Sequence, residues 1–158
     1  MREYRIEVLV DDAYAGQVSP GSLRAAAAQV LELQQVQSPC GLAIVVSGDG
    51  TLRQLNRRHR GVDAPTDVLA FPNAPAGSFV EAPEQSRYLG DVIISFSRAS
   101  GQAAELGHDV EAELQLLVIH GVLHLLGYGD SQEAKRARMW AAQEEAVAAL
   151  GIAVSYPD

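Results

Sequence analysis

The chain has 158 residues, 47% hydrophobic and 20% charged, which is too apolar for a disordered protein and enough to bury about 70% of the unfolded surface in a single domain spanning 1–158. Its net charge of −8 argues against a protein that coats RNA or DNA through counterion release, while leaving room for a local basic site. Cys40 is the one cysteine, which excludes an intramolecular disulfide and a cysteine-built zinc site and suits a reducing cytoplasm.

Residues 1–8 mix charged and apolar side chains, with no apolar segment for export. Even the most apolar stretch, 114–126, contains two histidines, so no membrane span is expected. Residues 4–10 alternate in part, with Tyr4, Ile6 and Val8 on one side, and predict a strand. Ser19-Pro20-Gly21-Ser22 supplies N-cap and first-turn chemistry for a helix through Leu23, Ala27, Val30 and Leu33. The run 42–46 predicts a buried strand closed by Gly48-Asp49-Gly50. Asp49 or Thr51 is then expected to cap a helix carrying Arg53, Arg57, Arg58 and Arg60. A solvated helix face is the plain reading of those arginines.

Pro65 interrupts the chain, and 67–71 predicts a strand stopped by Pro72. Residues 72–88 read as a long loop and 92–96 as another strand. Three helices are expected after that, over 98–106, 109–126 and 131–150. Early strands and late helices describe an α+β domain, a small mixed sheet of four or five strands covered by helices.

The segment that carries chemistry is Ile119-His120-Gly121-Val122-Leu123-His124-Leu125-Leu126-Gly127-Tyr128-Gly129-Asp130. His120 and His124 lie one helical turn apart on one face, a spacing that lets two imidazoles converge on one ion. This puts the metal site toward the C-terminal part of a core helix. Gly127 and Gly129 can break that helix and turn Asp130 toward the same ion, leaving a fourth position open as in catalytic sites. Two other readings stand beside this one. The histidines could be core residues with satisfied nitrogens, and Asp130-Ser131-Gln132-Glu133 could open the last helix as a capping box. Zinc proteases place a glutamate general base after the first histidine. Gly121 stands there instead, which disfavours proteolysis and leaves the space beside the ion open to close approach.

The run His120-Gly121-x-Leu123-His124-Leu125-x-Gly127-Tyr128 resembles the signature of the YbeY family of bacterial rRNA maturation factors, which are metal-dependent endoribonucleases. Two further segments are similar to that family in matching order. One is Leu55-Asn56-x-x-x-Arg60-Gly61-x-Asp63-x-Pro65-Thr66-Asp67-Val68-Leu69-x-Phe71-Pro72, and the other is Leu89-Gly90-Asp91-Val92-Ile93-Ile94-Ser95. The family usually ends its signature in Tyr-Asp-His and takes that histidine as third ligand, whereas this chain reads Tyr128-Gly129-Asp130. The tyrosine that many members carry before the arginine is His59 here.

The resemblance implies one divalent ion, zinc being expected, held by His120, His124 and Asp130, with Arg60 facing it as the catalytic cation. A planar guanidinium suits a phosphate and can stabilise charge developing on phosphoryl oxygens. An ion pair between Arg60 and Asp63 is the bland alternative, and Asp67 and Asp91 could orient the histidines or simply close turns. The implied activity is cleavage of single-stranded RNA in rRNA maturation and small-subunit quality control. The implied partners are rRNA, the small ribosomal subunit and one of its proteins, in the cytoplasm, with no DNA or membrane. The competing functions are a ribosome-assembly adaptor whose metal is structural, and a metal-dependent hydrolase of another substrate.

Overall fold

A computed structural model describes residues 3–73 and 87–156. Strand β1 (Tyr4–Val10) is followed by a single 3₁₀ turn at Asp12–Tyr14 and helix α1 (Pro20–Leu33). Ser19 holds the extended N-cap position with Pro20 in the first turn, where a missing N–H costs nothing. Strand β2 (Cys40–Ser47) leads into helix α2 (Asp49–Arg60). The expected cap is corrected here. Gly48 takes the extended N-cap position and offers no side chain to cap with. Asp49 sits inside the first turn, where its carboxylate accepts from Ser95 Oγ at 2.6 Å, and the Thr51 hydroxyl accepts from Ser47 Oγ at 2.9 Å.

Strand β3 (Val68–Pro72) matches its expected position, and residues 74–86 of the expected loop lie outside the described residues. The end of that loop is corrected, because Arg87 and Tyr88 already belong to β4 (Arg87–Ser95), paired with Cys40 and Gly41 of β2. Phe96, expected in the strand, instead opens helix α3 (Phe96–Leu106), with Ser95 Oγ capping the Arg98 N–H at 3.2 Å. Helices α4 (Val110–Leu125) and α5 (Glu133–Leu150) complete the chain order.

The sheet order is β1-β2-β4-β3, with β1, β2 and β4 parallel and β3 antiparallel to β4. Parallel neighbours need crossovers; α1 supplies the first, and α2 with β3 lies within the second. Val92 of β4 touches Gly121 of α4, so Val92 marks the face that α4 covers. Phe71 pairs with the preceding residue, Asp91, and successive strand residues point to opposite faces. On that opposite face the His59 ring of α2 packs against Phe71, centroids 4.9 Å apart. The sheet is therefore layered, with α4 on one face and α2 on the other. Helix α4 is apolar nearly all round and mostly buried, as befits a helix enclosed by its neighbours. Leu114, Ile119 and Leu123 are fully buried and join Leu23 and Leu31 of α1 and Ile44 and Ile94 of the sheet in one core. Among the described residues no helix is long and apolar enough to cross a membrane.

Candidate metal centre

The last two turns of α4 carry His120 and His124 with their Nε2 atoms 3.2 Å apart. The opposite nitrogen of each ring is occupied. His120 Nδ1 meets Gln143 Oε1 of α5 at 3.3 Å, and the His124 ring hydrogen bonds to the Tyr128 backbone. Gln143 Oε1 accepts, which puts the His120 proton on Nδ1, and the Tyr128 bond raises the His124 pKa, as a carbonyl that accepts from the ring does. Both Nε2 atoms then carry lone pairs and have nothing to donate to each other. Two nitrogens at about 2.0–2.1 Å from one tetrahedral ion lie about 3.3 Å apart. The pair therefore fits a single divalent ion between its rings. Burial pushes the His124 imidazolium below its ordinary pKa, reinforced by His120 and opposed by Asp130, which favours the neutral ring that can coordinate.

Local sequence explains the arrangement. Gly127 takes a left-handed φ of 99°, its N–H bonding the His124 carbonyl at 3.0 Å while the Tyr128 N–H bonds the Leu123 carbonyl at 3.0 Å. That turn brings the chain back so that the Tyr128 backbone faces the His124 ring. The Tyr128 hydroxyl donates to Gln34 Oε1 at 2.8 Å, tying the turn to the end of α1.

His120, His124, Asp130 and Arg60 line one cleft of about 420 Å³ together with Thr66 and Asp67. Asp130 and Arg60 both act electrostatically on His124, with opposite signs. Among the described residues, no three acidic, histidine or cysteine side chains form a ready-made cluster. Asp130 thus shares the cleft without closing onto the histidine pair. The alternative of Asp130 as a helix cap does not hold: Gln132 is the N-cap of α5, helix 133–150 begins after it, and no side chain caps it. The Asp130 carbonyl instead accepts from Arg136 Nη1 at 3.2 Å.

The Arg60 to Asp63 pair is also corrected, because Arg53 takes Asp63 through two hydrogen bonds of 2.8 and 3.1 Å. That contact holds the Asp63 carboxyl below its usual range. Arg60, in the last turn of α2, is left at the cleft. Asn56 steadies the segment between them, its amide donating to the Ala64 carbonyl at 2.9 Å. Asp67 accepts from the Val68 N–H at 2.8 Å and from Gln102 at 3.3 Å, so it braces the start of β3. Asp91 lies on the sheet face away from α4 and accepts from the Tyr88 hydroxyl, which removes it from the histidines. His59 acts as a packing residue on Phe71.

Gly121 departs from its expected role. A Cβ built there would stand 2.5 Å from Val92 Cγ1 and 3.0 Å from Cγ2. Its side-chain direction is therefore filled by the sheet, and only its backbone borders the cleft. A glutamate at this position could not reach the metal side. Gln143 and the Tyr128 backbone, which orient the two rings, had escaped sequence reasoning. Gln143 is buried and also hydrogen bonds Tyr156, an unusual environment for a glutamine flanked by Glu144 and Glu145.

A layered α+β domain with a histidine pair at the end of its central helix, open to a cleft bordered by an arginine, defines a class of candidate metal-site proteins. The sequence matches the family described as endoribonuclease YbeY over residues 12–151, and the chain belongs to that family. It is 44% identical over 152 residues to the endoribonuclease YbeY of Roseiflexus sp. strain RS-1, covering 95% of each chain. It is 46% identical to that of Chloroflexus aggregans, covering 94% of this chain and 97% of the relative. The solution structure of TM1509 from Thermotoga maritima superposes with a TM-score of 0.59 at 23% identity, covering 92% of this chain and 88% of that one. That likeness concerns the fold.

Proposed function

We propose that this chain is a cytoplasmic endoribonuclease that cleaves single-stranded segments of rRNA during small-subunit maturation and quality control, using one divalent ion, zinc in the first instance. The relatives named endoribonuclease support RNA phosphodiesters as the substrate class. The observation that carries the metal is the histidine pair, with Nε2 atoms 3.2 Å apart, His120 Nδ1 held by Gln143 Oε1 and the His124 ring bonded to the Tyr128 backbone. His120 and His124 would hold the ion, with Asp130, which borders the same cleft, as the third ligand. When bound, the ion supplies Lewis acidity to the cleft. Arg60 presents its planar donor fork to the scissile phosphate and stabilises the charge that builds on its oxygens. The Val92 contact at Gly121 leaves no place for a protease-type glutamate, which favours a phosphodiester over a peptide substrate. Buried Cys40, its thiol pKa raised by burial, suits a reducing compartment. A ribosomal protein of basic character would complement the net charge of −8.

The test compares zinc-loaded and metal-stripped protein on single-stranded and duplex rRNA fragments, beside two variants. Arg60→Ala should lower kcat about 10²- to 10³-fold with bound zinc unchanged. Asp130→Asn should lose zinc affinity while helix α5 keeps its content, because Asp130 lies outside that helix. Cleavage that persists without metal would remove the ion from the reaction, and ribosome binding with no cleavage would replace this reading with the adaptor.

A further inference from the structure

We infer that a groove along α5, continuous with the histidine cleft, seats one base of a single-stranded RNA stacked on Trp140. The inference rests on the endoribonuclease reading above. The groove measures about 560 Å³ and is bordered by His120 and Asp130 at one end and by Trp140, Met139 and Ala137 along α5. It therefore opens from the same two side chains that border the candidate cutting cleft. A strand with a phosphate at the histidines has its neighbouring nucleotide at this groove.

Trp140 is 49% exposed, so much of a large aromatic surface faces water where folding alone would hide it. The indole is also held in place. The Tyr156 ring packs against it with centroids 4.7 Å apart and a tilt of 58°, and the Tyr156 hydroxyl donates to Glu144. A platform fixed before binding loses little rotamer freedom when a base stacks on it. Met139, 4% exposed, supplies an apolar wall.

The polar residues select the part of the nucleotide. Glu133 borders the groove and would repel a phosphate placed along its length, whereas a neutral base meets no such penalty. Arg136 offers the local cation. It reaches the Asp130 carbonyl at 3.2 Å and makes no ion pair among the described residues, so its guanidinium stands where the groove meets the cleft. That placement suits the phosphate joining the seated nucleotide to the one being cut.

Trp140 is the chain's one tryptophan, so intrinsic fluorescence reports on this seat directly. The probes are a 2′-O-methyl oligouridine, checked for intactness after each titration, and an abasic oligomer with the same backbone. Oligouridine should quench the emission, and the abasic oligomer should bind more weakly without quenching. Trp140→Ala should raise KM for single-stranded RNA about 5- to 150-fold, leaving kcat and bound zinc unchanged, and Trp140→Phe should recover most of the loss. Equal quenching by the abasic oligomer, or a wild-type KM in the alanine variant, overturns the base seat while leaving the nuclease intact. Quenching by oligouridine in a protein that cuts no RNA upholds the seat and removes the nuclease reading. If Trp140→Ala abolishes binding to the small ribosomal subunit and oligonucleotides leave the emission unchanged, the groove is a protein-docking surface and the inference fails.

Discussion

Helix α4 has histidines at both ends, and their surroundings differ in one respect that separates architecture from chemistry. Just before its first turn, His108 Nε2 lies 2.6 Å from Glu113 Oε1, with the two side chains 5% and 4% exposed. His108 Nδ1 accepts the Ser155 N–H at 2.9 Å, so the ring proton sits on Nε2 and is donated to the carboxylate. Both ring nitrogens are therefore satisfied within the protein. At the other end His120 and His124 have one nitrogen each satisfied, and their remaining lone pairs face each other across 3.2 Å. A histidine with both nitrogens used is complete as it stands, whereas two whose free nitrogens face each other leave a position for a shared partner. Burial alone does not distinguish these cases; the count of unmatched lone pairs does.

The difference is sharpest in a pair of alanine substitutions. His124→Ala should reduce zinc affinity more than about 1000-fold, beyond the 10- to 100-fold that losing a ligand's hydrogen-bond partner costs, with the apo protein's stability nearly unchanged. His108→Ala strands Glu113 as a buried, unpaired carboxylate and should destabilise the fold by about 3–5 kcal/mol. Helix α4 is about 24 Å long, and separated sites behave almost additively, so zinc affinity of the folded His108 variant should stay within about twofold. Calorimetric zinc titration together with urea unfolding measures both. If His108→Ala loses zinc while remaining folded, the separation drawn between the two ends fails.

Gln143→Leu probes one partner on the open side. The leucine keeps the volume near His120 but removes the oxygen that holds its Nδ1 proton. Zinc affinity should fall about 10- to 100-fold, and Gln143→Glu, which restores an acceptor, should recover binding. A leucine variant with wild-type affinity would mean that packing alone aims the His120 ring.

These two probes also mark what could be read from the residues in order. Helix α4 and its histidine pair were legible because four-residue spacing on an apolar helix has one geometric meaning, and the strands at β1, β2 and β3 because apolar runs met glycine and proline punctuation. Gln143 was not legible, because it reaches His120 from a separate helix across a sequence separation of 23, and nothing local distinguishes it from its glutamate neighbours. Strand β4 was read five residues too short at its start. Arg87, Tyr88, Leu89 and Gly90 have no apolar run, and they are strand because β2 lies beside them. Asp130 looked like a helix cap because Glu133 stands three residues on, but the extended backbone needed before α5 falls at Gln132.

The smallest expected effect lies at Gly121, between the histidines. An added methyl would meet Val92, a fully buried, β-branched side chain with stiff rotamers, at distances that real Cβ atoms do not tolerate. Helix α4 must then lift from β4 or Val92 must rotate into an occupied core, and either should cost about 1–3 kcal/mol. Lifting would carry His120 with it, so zinc affinity should fall along with stability, by a smaller factor than in Gln143→Leu. The double variant Gly121→Ala with Val92→Ala removes the colliding methyl groups and should regain stability and zinc affinity together, giving a coupling energy well outside additivity. If the double variant regained stability but not zinc affinity, Gly121 would serve the cleft through its own backbone and not through the seating of α4 on the sheet.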